Sequence, residues 1–255
     1  MTNRDRSPVG SPCWVDLMTS DPESARAFYA GLLDWTPQEA SEEFGGYFMF
    51  TKNDRPVAGA MPDMTEGAMP SCWNIYLNVA DARTTLSRAA EHGGHEAVPA
   101  MQVGELGTMA MILDPGGAVI GVWSPIEFQG FELAAEPGAP AWFELHTRDY
   151  DRSVSFYRDV FDWETDVMSD DPSFRYTTSM HDGESVAGVM DMDGHASDDA
   201  RPCWVVYFGV KDADATAAKA VELGGSVLRA PEDSPYGRLA TIADTTGAQF
   251  CIITA

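Results

Sequence analysis

The sequence is written twice, and that duplication constrains the fold more than any other feature. The stretch "PCWVDLMTSDPESARAFYAGLLDW" at residues 12–35 aligns with "PAWFELHTRDYDRSVSFYRDVFDW" at 140–163, an offset of 128 (140 − 12 = 128). Farther along, "VAGAM" at 57–61 returns as "VAGVM" at 186–190, and "SCWNIYLNVAD" at 71–81 as "PCWVVYFGVKD" at 202–212. A repeat of this length is a duplicated domain, since solenoid units are far shorter. The alignment predicts a frayed tail over 1–11, a first domain over 12–124, a linker over 125–139 and a second domain over 140–255.

Each half divides again into two similar quarters. An alternating strand over 13–19 (or 141–147) leads to a helix with Asp21 (or Asp149) as N-cap, and Pro22 and Glu23 follow where the first turn favours them. Ala25, Phe28, Leu32 and Leu33 form an apolar face at helical spacing, as do Val154, Tyr157, Val160 and Phe161. Short strands are expected near 35–40, 46–52 and 56–62, and near 163–168, 174–180 and 185–191. The next quarter repeats the order: a strand at 72–79, a helix capped by Asp81 and ended by "GG" at 93–94, then strands flanking "DPGG". Its partner runs from 203 through a helix after Asp212, "GG" at 224–225 and a hairpin around "DTTG" at 244–247. The unit is β-α-β-β-β, written four times, which makes the fold class α+β.

At 255 residues and 44% hydrophobic, the chain can bury a core in each half. No apolar run approaches the ~20 residues of a membrane helix, and the N-terminus lacks the apolar core of a signal peptide. A soluble, cytoplasmic protein is expected. The formal charge of −24, from 16 basic and 40 acidic residues, disfavours nucleic acid and anionic membrane as partners. Cys13, Cys72, Cys203 and Cys251 have no metal-type spacing, and three precede a Trp in an apolar run, as small buried thiols do.

This order, with "D…FY" in the odd units and "DPGG" closing an even one, resembles the vicinal oxygen chelate superfamily, which includes glyoxalase I, bleomycin-resistance proteins and extradiol dioxygenases. The resemblance covers about residues 12–254 and is nearest the tandem-domain actinobacterial branch, some of whose members act in aromatic-polyketide pathways. It implies two tandem domains, each a curved sheet around a cleft. It also implies where a metal would be held: seven residues before each helix-capping Asp, seven after the Asp of the closing turn, and on the "VAGAM" strand. Those counts reach Trp14, Asn74, Trp142 and Val205, then Gly121 and Cys251. Trp is no ligand, Asn is a poor one, and a lone Cys cannot supply three or four donors. No metal and no other cofactor are therefore expected. Trp73 and Trp204, one residue earlier relative to their caps, should face the helices as packing residues.

Alternation turns Trp14, Asp16 and Met18 to the cleft in the first half, and Trp142, Glu144 and His146 in the second. Asn74, Tyr76, Asn78, Val205 and Tyr207 should join them, with Trp123 and Gln249 from the closing strands. Aromatic walls with a few convergent polar groups suit a flat organic molecule. The expected ligand-binding set is Trp14, Met18, Asn74, Tyr76, Trp123, Trp142, Tyr207 and Gln249; the expected catalytic set is Glu144, His146 and Asp16. A buried carboxylate needs a partner. For Asp16 and Glu144 that partner is either a ligand or a structural one: Arg148, Arg175, a Tyr hydroxyl, or the interface between halves. His146 is either a general acid/base or a structural histidine. His92 and His95 are expected at the surface, and His181 and His195 in acidic loops.

Three functions are consistent with these residues. The first is sequestration of, or metal-free chemistry on, a planar or aromatic metabolite by a monomer or homodimer. The second is a metal-dependent lyase or dioxygenase with relocated ligands, such as Asp16, Glu144 and His146. The third is a structural protein whose clefts are filled by Trp14 and Trp142.

Overall fold

The computed structural model describes residues 7–65, 67–197 and 199–254. In the first half the order is β1 (Pro12–Thr19), α1 (Pro22–Leu33), β2 (Thr36–Pro37), β3 (Phe48–Lys52) and β4 (Arg55–Pro62). There follow β5 (Cys72–Asn78), α2 (Ala82–Glu91), β6 (His95–Val103), β7 (Gly107–Leu113) and β8 (Val119–Pro125). The second half repeats this as β9 (Pro140–Thr147), α3 (Tyr150–Phe161), β10 (Glu164–Asp171), β11 (Phe174–His181) and β12 (Glu184–Asp191). It closes with β13 (Cys203–Val210), α4 (Ala213–Glu222), β14 (Ser226–Ser234), β15 (Gly237–Ala243) and β16 (Gln249–Thr254). Each half is one 8-stranded sheet, ordered β2-β3-β4-β1-β5-β8-β7-β6 and β10-β11-β12-β9-β13-β16-β15-β14. The two β-α-β-β-β units of a half thus join through their first strands, β1 against β5 and β9 against β13.

The helices lie between the two sheets, and each half completes the other's core. Helix α1 lies against α4, and α2 against α3. Phe28 of α1 meets Phe250, and Trp35 and Trp73 meet Phe208 at centroid distances of 5.2 and 5.1 Å. The "GG" pairs serve this packing. Gly93 and Gly224 take the left-handed conformation that ends the helix (φ +86° and +90°). Gly94 and Gly225 leave room for a ring of the opposite half: a Cβ there would lie 2.9 Å from Phe156 and 2.8 Å from Phe28.

Trp73 and Trp204 are buried on this helical side, as their register predicts. Trp73 Nε1 donates to the Tyr29 hydroxyl (3.0 Å), which donates to Asp244 of the other half (3.0 Å). Trp204 Nε1 donates to Tyr157 (2.8 Å), which donates to Asp114 (3.0 Å). The Tyr of each "FY" therefore anchors the closing turn of the opposite half.

Three local expectations are corrected. Residues 7–11 are not frayed: Gly10 N donates to Asn78 O, and Trp163 Nε1 donates to Gly10 O at 2.7 Å, as Trp35 Nε1 does to Gly138 O at 2.6 Å. They are the first copy of 135–139, docked in the same way, while residues 1–6 lie outside the described residues. The segment after β8 also packs, burying Phe131, Leu133 and Ala134. Finally, Asp149 makes no side-chain cap bond, whereas Asp21, Asp81 and Asp212 each accept one.

Candidate functional site

The concave face of each sheet carries the residues that alternation assigns to it. In the first bowl, register places Trp14 opposite Tyr76, Asp16 opposite Asn74 and Gly59, and Met18 opposite Cys72 and Met61. Trp14 Nε1 donates to the Tyr47 hydroxyl at 2.7 Å, and Asn74 Nδ2 donates to Asp16 Oδ1 at 3.0 Å. Burial pushes the Asp16 carboxyl up to about 6, against the opposing pull of hydrogen bonds from Asn74 and Tyr76. Phe128, from the segment after β8, sits edge-on against Trp14 (4.8 Å) and near Trp123 (6.2 Å), and its carbonyl accepts Trp123 Nε1 at 2.8 Å. Trp14, Asp16, Tyr76 and Trp123 are all buried, so the first bowl is packed with its own side chains.

The second bowl is built differently. Glu144 Oε2 accepts the Tyr176 hydroxyl at 2.5 Å, and Oε1 accepts both the Tyr207 hydroxyl at 3.0 Å and His146 Nε2 at 2.7 Å. Burial works to raise this carboxyl, but the hydrogen bonds and the imidazole outweigh it and hold Glu144 below its usual range. An ionised Glu144 fixes the histidine tautomer. With Nε2–H directed at the carboxylate, the other ring nitrogen, Nδ1, has no partner among the described residues. The His146 side chain is 23% exposed, and Trp142, bonded through Nε1 to Tyr176 at 3.0 Å, is half-buried. The arrangement is an oriented imidazole beside an aromatic wall, partly exposed to solvent.

Of the partners considered for the paired acids, Tyr hydroxyls bind Glu144, while Arg148 and Arg175 pair with other aspartates. Asp16 lies in the first bowl, apart from Glu144 and His146 in the second. Gln249 is exposed opposite Ala243 at the start of β16 and touches none of these groups. Val205 is half-buried opposite Glu144. Asn78 pairs with Trp123 on the bowl face but is buried, and its Nδ2 donates to the Ser7 carbonyl. Tyr47 and Tyr176 were not among the expected residues, yet a signal exists. Both precede the Gly of "VAGAM" and "VAGVM" by the same count (59 − 47 = 12; 188 − 176 = 12). A separate cavity of about 220 Å³ lies between Gly10, Trp163 and His181, away from both bowls.

The sequence profile of the Glyoxalase/Bleomycin resistance protein/Dioxygenase superfamily matches residues 13–122 and again 139–252. The chain belongs to this superfamily. It is 36% identical over 261 residues to "Putative glyoxylase CFP32" of Mycobacterium bovis, covering 99% of this chain and 98% of that one. It is 34% identical to "Anthracycline biosynthesis protein DauV" of Streptomyces sp. strain C5, covering 96% and 93%. Among solved structures, it resembles the Mn(II)-bound glyoxalase of Novosphingobium aromaticivorans, with a TM-score of 0.63 at 15% identity, covering 96% of this chain and 82% of that one. The 2,3-dioxygenase LapB of Pseudomonas sp. KL28 gives a TM-score of 0.63 at 14% identity, covering 98% and 93%.

Such likenesses fix the fold, and the superfamily's metal positions can then be tested on these side chains. Register puts Gly59 and Gly121 at the matching places on β4 and β8, opposite Asp16 and Tyr76, and Gly188 and Cys251 on β12 and β16. With Trp14, Asn74, Trp142 and Val205, these residues do not fit a transition-metal site. The space is also taken. A Cβ at Gly59 would lie 1.8 Å from the Tyr47 hydroxyl, one at Gly188 2.0 Å from that of Tyr176, and one at Gly121 2.3 Å from the Tyr76 ring. Among the described residues, no three His, Cys, Asp or Glu side chains gather as a metal-binding group.

Proposed function

We propose that the second bowl binds a planar or aromatic small molecule and sequesters it or moves a proton on it, without a metal. The observation that carries this reading is the Glu144–His146 pair beside the half-open Trp142. The ligand stacks on the indole, and His146 Nδ1 takes a proton from an acidic C–H or phenolic O–H of the ligand. Glu144 stabilises the imidazolium that results, and Tyr176 and Tyr207 keep its carboxylate in place. The relatives named for anthracycline biosynthesis lend support. The first bowl, packed by Phe128 and Tyr47, serves the fold.

The test uses chelator-treated protein and a panel of hydroxylated polycyclic aromatics, followed by tryptophan fluorescence. Saturable quenching is expected, diminished in Trp142→Phe and unchanged in Trp14→Phe. Binding that appears only after a divalent transition metal is added would overturn the reading, as would an absence of saturation across the panel.

A further inference from the structure

One row of side chains shows how the two bowls have diverged. In the second sheet, successive register partners run Trp142–Tyr207–Cys251–Thr241–Arg229, across five strands from β9 to the edge strand β14. Register partners share a face, and the 3.5 Å contact of Thr241 Oγ1 with Cys251 Sγ shows that the row stays on the concave side. The same row in the first sheet reads Trp14–Tyr76–Gly121–Met111–Val98. Its first two members are kept. The last three change from Gly, Met and Val to Cys, Thr and Arg, so an apolar wall in one bowl becomes a graded one in the other, ending in a cation.

Arg229 stands at an irregular point of the edge strand. Register shifts flank it on both sides, as they flank Val98, and a bulge on an edge strand re-aims its side chain. Its side chain is 63% exposed, and among the described residues its one ion pair is with Glu232, three residues on along the same strand, through Nη2. A guanidinium has five N–H donors, so that pair leaves the rest of the fork available. In a chain with a formal charge of −24, it places a cation on this row, shared with the Glu232 carboxylate. Arg229 also acts on the Cys251 thiol electrostatically, which ties the guanidinium to the row. At the rim, Tyr236 and Phe174 are exposed aromatics, Phe174 stacking on Tyr176 at 5.6 Å.

Resting on the aromatic-ligand reading above, we infer that the second bowl takes a fused aromatic carboxylate, its rings against Trp142 and Tyr207 and its carboxylate on Arg229. Four inter-strand steps of about 4.8 Å span about 19 Å along the curved sheet, so the ligand is an extended polycycle rather than a single ring.

Anthraquinone-2-carboxylate, its methyl ester and benzoate are the probes, with affinities read by fluorescence and calorimetry on the full chain. The acid is expected to bind at least tenfold more tightly than the ester, and benzoate not to compete. Arg229→Gln should bring the acid down to the ester's affinity while leaving the ester and the melting temperature unchanged. Glu232→Gln, which removes the competing carboxylate, should tighten the acid a few-fold. If acid and ester bind alike and Arg229→Gln alters neither, the carboxylate assignment is wrong and the aromatic site stands. If neither polycycle binds, the aromatic-ligand reading fails and takes this one with it.

Discussion

Asp16 and Glu144 occupy equivalent positions (144 − 16 = 128), yet they are displaced in opposite directions. Both are buried, and the difference lies in the donors each receives. Glu144 has two phenols and an imidazole, while Asp16 relies on Asn74 and Tyr76, too little to offset the loss of water. The stability consequence follows from proton linkage. The folded value of Asp16, about 6, lies above the unfolded value of 3.8, so the native state binds the proton more tightly. Stability is therefore lost as pH rises from about 4 through 6 and stays lost above it. About two pH units at 1.36 kcal/mol each give about 3 kcal/mol. Asp16→Asn, which keeps a hydrogen-bonding amide without the charge, should stabilise the protein by roughly that amount at pH 8. The gain should vanish by pH 4, as urea unfolding at the two pH values would show. An equal gain at both would mean that the charge of Asp16 is not the cause.

Elements carry the clearest record of what a sequence discloses. The four Asp residues, the "GG" stops and the alternating first strands place the first strand of each unit and the start of each helix within one or two residues, whereas β2 is only Thr36–Pro37 and β10 runs on to Asp171. The cap chemistry itself differs, because Asp149 has Arg152 3.7 Å away and makes no bond to the backbone, while Asp212 bonds Ala215 N at 2.9 Å. Asp212→Ala should cost about 1 kcal/mol and Asp149→Ala no more than a few tenths, measured as shifts in the urea midpoint. Comparable costs would show that Asp149 caps its helix in solution. The site was legible where alternation holds: Trp14, Asp16, Trp142, Glu144 and His146 all stand on the bowl faces as read. It was illegible where alternation breaks. The bulges around Arg229 erase the period of two along "SVLRAPEDS", whose residues are exposed or half-buried. Tyr47 and Tyr176 were hidden because the spacing between copies changes from 128 to 129 after the first helix (176 − 47 = 129).

Across the whole molecule, helical periodicity announced that Phe28 and Tyr157 would be buried but not against which sheet. The answer is that each half's aromatic face is finished by the other, so the two copies should unfold as one cooperative body. Tyr157 shows the coupling at a single oxygen: it accepts Trp204 Nε1 within its own half and donates to Asp114 in the other. Tyr157→Phe leaves a buried indole N–H and a carboxylate oxygen each short of a partner. The expected cost is about 2 kcal/mol or more, since stranded buried groups lose their full compensation. Tyr29→Phe, which strands Trp73 and Asp244 in the same way, should cost a similar amount. Because each substitution touches both halves, the loss should move a single transition. Near-UV and far-UV dichroism should shift together, and the calorimetric and van't Hoff enthalpies should agree. Two resolved transitions, with Tyr157→Phe moving only one of them, would show that the halves fold independently and that the Tyr–Asp bonds merely dock finished domains.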